Sequence, residues 1–433
     1  MILILGGGLA GLSTAYHLGD EPHLVLEGEE NGGGLCRSRT IEGFVFDYTG
    51  HLLHLRDPRV IELVERLLPD TFRTIERKAF IRSRGATLPF PFQANLHGLP
   101  PEVVAECITG FVESMPIQVP EDPGTSFHEW SLAVFGQGIS DAFMFPYNTK
   151  LFRRDPEKMT ADWVSWAVPK PNLQEVIRGA VGVRNDGMGY NSTFRYPARG
   201  GIEIVPRAFA DRVEHVRYGA RVTSVDLARR QIVLDDGDRH DYERLVVTIP
   251  LPAFLRMATG GPAGLASMAG RLDWSVVACW NVGIDRAGVG DGAHWIYVPD
   301  ADAPFYRVGF PTSFSDGVAP VGTSSMYIEF GLERGEELDR KKMEQSALDA
   351  LRREGILRKN DRVVAGDWVV IDPGYVIFDR NRQEVMAEVV PALEACGVHL
   401  IGRYGAWTYS YMERAILDGL EVAEVLRRAP AAR

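Results

Sequence analysis

The chain has little cysteine, little lysine and no long apolar run. Its 433 residues include four cysteines, at positions 36, 107, 279 and 396. They are scattered, and His, Cys, Asp and Glu show no metal-ligand spacing. No metal site is therefore expected, and a reducing cytoplasm is the simplest compartment. No stretch of 18 apolar residues occurs, so no membrane span is expected. The net charge of −11 gives no sign of a nucleic-acid surface, and an anionic ligand would need a local basic pocket. Repeats and low-complexity tracts are missing, and no Ser-His-Asp arrangement can be read. The first 15 residues lack the basic start of a secretory signal, and their glycines have a better use. Hydrophobic content of 45% and charged content of 24% are those of an ordinary globular chain, long enough for two or three domains.

What is abundant is glycine, in a pattern. Ile2-Leu3-Ile4-Leu5 is short enough for one buried strand, and Leu12 to Leu18 reads as a helix. Between them Gly6, Gly8 and Gly11 fit G-x-G-x-x-G in a strand–turn–helix context. The first glycine permits the tight turn, the second lets backbone approach a pyrophosphate, and the third lets helix and strand pack closely. The helix N-terminus then faces the anion with free N–H groups. A second strand, His23 to Leu26, ends at Glu27, where a carboxylate should accept hydrogen bonds from a ribose. These signals predict dinucleotide binding.

Further along, Asp57-Pro58 marks a helix start. Residues 86–98, rich in Pro and Phe, look irregular. From Leu99 to about Lys158 the pattern is helical, with a capping box at Ser126 to Glu129. Alternating segments follow at 231–235, 245–249, 274–283, 304–310 and 324–331. Lys341-Lys342-Met343 opens a polar helix, and Ile416, Leu420 and Ala423 share one face of a last helix.

Gly33, Gly34 and Leu35, soon after Glu27, resemble the double-glycine segment of two-dinucleotide-binding-domain flavoproteins. Val222 falls in a segment resembling the strand that covers the adenine there. Gly402 and Arg403 end a strand resembling the closing unit on the flavin side. No second glycine fingerprint follows another strand, so FAD rather than NAD is the cofactor this resemblance implies. The implied fold is α/β (α+β overall): a Rossmann-type FAD-binding domain with a helical insert and an antiparallel-sheet insert. The cofactor domain would be discontinuous, at 1–80, 195–250 and 385–433. A helical substrate domain would occupy 85–190 and a sheet-rich one 255–384, with the ligand cleft between the flavin and these lobes.

Longer segments are more specific. They include Pro89 to Asn95 (PFPFQAN), Phe143 to Lys150 (FMFPYNTK), Asn191 to Gly201 (NSTFRYPARGG), Trp295-Ile296-Tyr297, Pro304 to Arg307, and Arg403 to Tyr409. Together they resemble the UDP-galactopyranose mutases, especially the eukaryotic type. In that family the reduced flavin is a nucleophile at the anomeric carbon of the sugar, and the reaction is redox neutral. The resemblance implies that Phe92, Gln93, Asn148, Trp295 and Tyr297 hold the uridine and that Asn191 lies near the sugar. Arg307 would bind the diphosphate, Tyr375 and Tyr409 would contact the phosphates, and His51 would sit on a loop beside the flavin. The partner would be a nucleotide-diphosphate sugar, and the reduced state would call for an external reductant such as NAD(P)H or a flavin reductase.

The sequence also departs from that family. Ala167 aligns with its second catalytic arginine, the Asn-Gln-Asp-His stretch after Tyr409 is deleted, Thr49 replaces a glycine before His51, and Phe90 and Phe152 replace a tyrosine and a tryptophan. A lost charged hydrogen bond is worth about 1.5–3 kcal/mol, and Arg195, Arg178 and Arg184 are the candidates to compensate. The expected substrate is a nucleotide sugar other than plain UDP-galactopyranose. The rival reading is an oxidoreductase of the amine-oxidase or protoporphyrinogen-oxidase type. Amine oxidases often place a lysine near the flavin. This chain has seven lysines, and Lys150 alone falls in a suspected pocket segment. A third reading is a non-catalytic binder that keeps the fold.

Overall fold

A computed structural model describes residues 1–164, 168–183, 185 and 192–428. Its cofactor half is built on a five-stranded parallel sheet. The strand order is Val398–Leu400, Arg244–Val247, Ile2–Leu5, His23–Leu26 and Val216–Arg217. Leu5 is in register with both Leu26 and Val247, and Val247 with Leu400. The strands therefore end level, and Gly6, Glu27, Thr248 and Ile401 emerge at one edge. That carboxyl edge is where open parallel sheets bind ligands. Near-continuous apolar sequence suits strands covered on both faces. Helix Leu9–Leu18 covers one face, and helix Met412–Arg428 packs on it, with the Ser13 hydroxyl donating to the Ile416 carbonyl at 2.8 Å.

The other half is dominated by a seven-stranded sheet. In order its strands are Val363–Val376, Trp274–Ile284, Ser324–Leu332, Arg307–Gly309, Trp295–Tyr297, Ala79–Ser83 and Ala86–Pro89. All pairings are antiparallel except that between Trp295–Tyr297 and Ala79–Ser83. Two strands therefore come from a part of the chain remote from the sheet-rich segment. One of them, Ala86–Pro89, corrects the first part of the irregular reading of residues 86–98: pairing with Ala79–Ser83 makes it a strand despite its short length and terminal proline. Pro91 then leads into a single tight turn at Phe92–Ala94.

Helices Pro101–Ser114, Phe127–Ile139, Phe145–Phe152 and Leu173–Ala180 form the layer beside this sheet. Local capping fixes their starts. The Ser126 side chain accepts from the Glu129 N–H while Glu129 caps Ser126 in return. Asp57 likewise caps helix Pro58–Leu67. Among the described residues, no helix is long and apolar enough to cross a membrane.

Candidate active site

At the cofactor edge the chain is stripped to backbone. A β-carbon at Gly11 would overlap the Gly6 carbonyl oxygen, and one at Gly34 would lie 3.1 Å from the Gly8 Cα. The second glycine run thus lies against the first, tied by the Gly33 N–H to the Gly7 carbonyl at 2.8 Å. Gly8 is the N-cap of helix Leu9–Leu18 and supplies no side-chain cap. Its first-turn N–H groups stay available to an anion. Glu27, at the tip of the second strand, accepts from the Gly7 N–H at 2.6 Å and the Glu29 N–H at 2.9 Å. Ala220 donates to the Glu27 carbonyl, which brings the strand containing Val222 alongside. Gly402 has φ +72° and lies against the Ala10 side chain, so the last part of the chain closes on the first glycine turn.

The ligand side is set by register in the large sheet. Glu329, Arg307 and Tyr297 are direct partners on three adjacent strands. Side chains in such a row share a face. In a neighbouring row Tyr327, Gly309 and Trp295 are partners. Gly309 is there for lack of a side chain: a β-carbon would overlap the Tyr327 ring. Arg307 uses its Nε–Nη2 edge on Glu329, with Nε–Oε2 at 2.5 Å and Nη2–Oε1 at 2.7 Å. Glu329 is fully buried, whereas the Arg307 side chain keeps 19% exposure, so the arginine is the member that reaches the cleft. Burial disfavours its charge, but Glu329, then Tyr327 and Tyr375, outweigh this and hold the guanidinium well above its ordinary range.

A second guanidinium, like the first, acts on Tyr375 and His51. Arg403 lies 5.2 Å from the Tyr375 ring centre, 5.0 Å from that of Tyr409 and 5.8 Å from that of Tyr404. Its Nη groups donate to the Ser410 and Gly374 carbonyls, while Nε is buried with no partner. The Tyr375 and Tyr409 rings stack at 5.9 Å. Burial keeps both phenols protonated, with their pKa values above the usual range. His51 completes the group. Burial pushes its imidazole down to about 4, Glu329 working against this and Arg403 and Arg307 with it. The ring is neutral near pH 7. Two guanidiniums against one carboxylate leave a local excess of positive charge in a chain whose net charge is −11.

The remaining expected residues divide into buried and half-buried. Phe92 is fully buried and stacks on Phe143 at 5.1 Å, which stacks on Tyr147 at 5.2 Å. Gln93 donates to the Pro169 carbonyl at 2.5 Å, and Asn148 to the Met144 carbonyl at 2.7 Å. Trp295 is buried against Phe194. These four are buried. Phe90, Tyr147 and Tyr297 are half-buried, Phe90 and Tyr147 lying 5.3 and 5.4 Å from the Tyr297 ring. Asn191, Ala167 and Arg184 lie outside the described residues. Neither described candidate replaces the missing arginine: Arg195 pairs with Glu65 at 2.9 Å, and Arg178 is exposed on helix Leu173–Ala180. Glu329, Tyr147 and Tyr327 are site residues that sequence reasoning missed. A lone acidic residue within Met326 to Gly331 was the available signal for the first.

The family model for flavin-containing amine oxidoreductase matches residues 9–427. The chain belongs to this family. A crystal structure of reduced UDP-galactopyranose mutase superimposes on this chain with a TM-score of 0.93 and 27% identity, covering 99% of this chain and 94% of the other. A putative protoporphyrinogen oxidase from Exiguobacterium sp. 255-15 gives 0.74 at 17% identity, covering 98% of each chain. Cyclohexylamine oxidase from Brevibacterium oxydans IH-35A gives 0.68 at 16%, covering 99% of each chain. These last two share the fold. An uncharacterized protein encoded in the nifH2 3′ region of Methanothermococcus thermolithotrophicus is 44% identical over 54 residues, 12% of this chain and about half (52%) of its own length.

The cofactor of this family member is FAD, and the residues present fit it. The glycine cradle is closed to a β-carbon at Gly6 and Gly11, the helix N-terminus has no side-chain cap, and Glu27 stands at the strand tip. The buried, partnerless Nε of Arg403 is a donor awaiting an acceptor. Lys150 does not serve as a flavin-side lysine of the amine-oxidase kind, because its ammonium is bound to the Val298 and Asp300 carbonyls at 2.8 and 2.9 Å.

Proposed function

We propose that this flavoprotein is a nucleotide-sugar mutase that interconverts pyranose and furanose forms of a UDP-sugar-like substrate other than plain UDP-galactose. The observation that carries this reading is the charge of the cleft. Arg307 and Arg403 together exceed the single carboxylate of Glu329. Such a site attracts a diphosphate and repels the protonated amine that an amine oxidase must admit.

When bound in its reduced form, FAD supplies a nucleophilic N5 to the anomeric carbon. The chain's own task is to hold the sugar diphosphate and to stabilise the charge that gathers on it as it departs. Arg307, with one edge fixed on Glu329, offers Nη1 to a phosphate oxygen. The protonated Tyr375 and Tyr409 hydroxyls donate to the same group. Phe90, Tyr147 and Tyr297 give aromatic surface to the base, backed by Phe92, Gln93, Asn148 and Trp295. Neutral His51 accepts or donates a hydrogen bond beside the flavin without adding charge. The similarity to the reduced mutase supports this reading over the more distant oxidases.

The test is product analysis with UDP-, dTDP- and GDP-sugars under anaerobic conditions, with and without dithionite. A furanose isomer formed only after reduction is the expected result. Flavin bleaching by some other substrate, with reoxidation in air and no isomer, would make the protein an oxidoreductase.

A further inference from the structure

We infer that Glu329 is a positioning residue that couples anion binding at Arg307 to the flavin-side segment carrying His51. Three observations meet at this one carboxylate. It is fully buried, on a strand that places Tyr327 beside it on the same face and Met326, Ile328 and Phe330 on the other. It takes the Nε–Nη2 edge of Arg307 in a two-bond fork. The oxygen that receives Nη2, Oε1, also faces the Gly50 N–H at 3.4 Å. Gly50 precedes His51, whose own N–H donates to the Thr49 carbonyl at 2.8 Å and whose Nδ1 lies 3.2 Å from the Thr49 hydroxyl.

The Gly50 segment has little room to move independently. A β-carbon at Gly50 would overlap the Tyr327 hydroxyl, so this segment sits directly on the sheet face beside the Arg307 row. The Arg307 bonds to Glu329 are short and the Gly50 bond is long. An oxygen shared in this way is pulled by whichever donor strengthens. A phosphate on Nη1 draws Arg307 toward the cleft, loosens the fork and frees Oε1 for the Gly50 N–H. Removing the anion reverses the exchange. Charge on the ligand is thereby translated into the position of the residue before His51, through one carboxylate and without a change of protonation.

The identity of the anion rests on the mutase reading; the coupling itself does not, and the experiment separates them. FAD-loaded protein is labelled with 15N-histidine, and the His51 ring and amide signals are assigned with His51→Gln. Arg307→Lys keeps a cation but loses the fork. It is expected to move the His51 signals in the native background and to leave them unmoved in Glu329→Gln. Equal shifts in both backgrounds would overturn the coupling. UDP is the second probe. It is expected to move the same signals in the native protein, to bind at least tenfold more weakly to Glu329→Gln, and to leave His51 unmoved there. Native protein that fails to bind UDP sinks the mutase reading, while the Arg307→Lys comparison still decides the coupling. Should Glu329→Gln not fold, Glu329→Asp keeps the charge and withdraws the oxygen from Gly50. It should then retain UDP binding and lose the His51 response. A preserved response would overturn the inference.

Discussion

The two ends of the active site are built on opposite principles. At the cofactor end, function comes from removing side chains: Gly8, Gly11 and Gly34 let backbone meet backbone, and Gly6 turns with φ +102°. At the ligand end it comes from crowding them, with Arg307, Glu329, Tyr297 and Tyr327 filling one sheet face. The first construction lays one short glycine run against another, each recognisable by itself. The second joins residues on three consecutive strands that meet only because those strands pair in one register. The cradle has no room for an added atom at Gly6 or Gly11, whereas the side-chain row depends on the Arg307–Glu329 charges.

Perturbations at the two ends should therefore separate cleanly. The largest effect is expected from Arg307→Ala, which leaves Glu329 buried without its partner and removes the proposed diphosphate contact. Isomerisation should fall about 10²–10³-fold while FAD content, read from the flavin absorbance, stays near stoichiometric. Glu27→Gln should do the converse. Losing a charged acceptor for the ribose is worth about 1.5–3 kcal/mol, seen as weaker FAD retention on dialysis, with turnover of the fully loaded enzyme little changed. Gly309→Ala forces the Tyr327 ring aside and should lower unfolding stability by about 1–3 kcal/mol, measured by urea titration, without loosening FAD directly. The smallest effect is expected from pH. The pKa of His51 is held down at about 4 against an ordinary 6.5, so kcat/KM should show no imidazole titration between about pH 6 and 8. The native state takes up no proton on this group until well below neutrality, whereas the unfolded chain does. The contribution of His51 to stability is thus fully present above pH 6.5 and lost as pH falls through 4. Denaturation curves of His51→Gln against pH should lack that component.

The same contrast explains what could be read in advance. Gly6, Gly8, Gly11 and Glu27 were legible because strand, turn and helix specify one another within a few residues. The helix starts at Asp57 and Ser126 were legible for the same reason. Strand Ala86–Pro89 was not, since its only reason to be extended is its partner Ala79–Ser83 and the sheet beyond. The aromatic residues show the limit well. Type and segment pointed to Phe92, Trp295 and Tyr297, but only tertiary packing decides which ring of a cluster is covered. It covers Phe92 and Trp295 and leaves Tyr297, with Phe90 and Tyr147, half-buried. Glu329 was hidden in an alternating strand, and its meaning appears only with Arg307 opposite.

The shortness of the strands carrying the row has a consequence for how such a protein can diverge. Trp295–Tyr297 and Arg307–Gly309 are three residues each, joined to their neighbours by loops that pair only next to the strand ends, as Val298 does with Tyr306. Lengthening or shortening those loops alters the mouth of the cleft and what may enter. One residue inserted within either strand instead turns Arg307 or Tyr297 to the opposite face. Descendants of this chain are thus free to vary the ligand they admit through the loops, while the placement of Arg307 is inherited whole or lost.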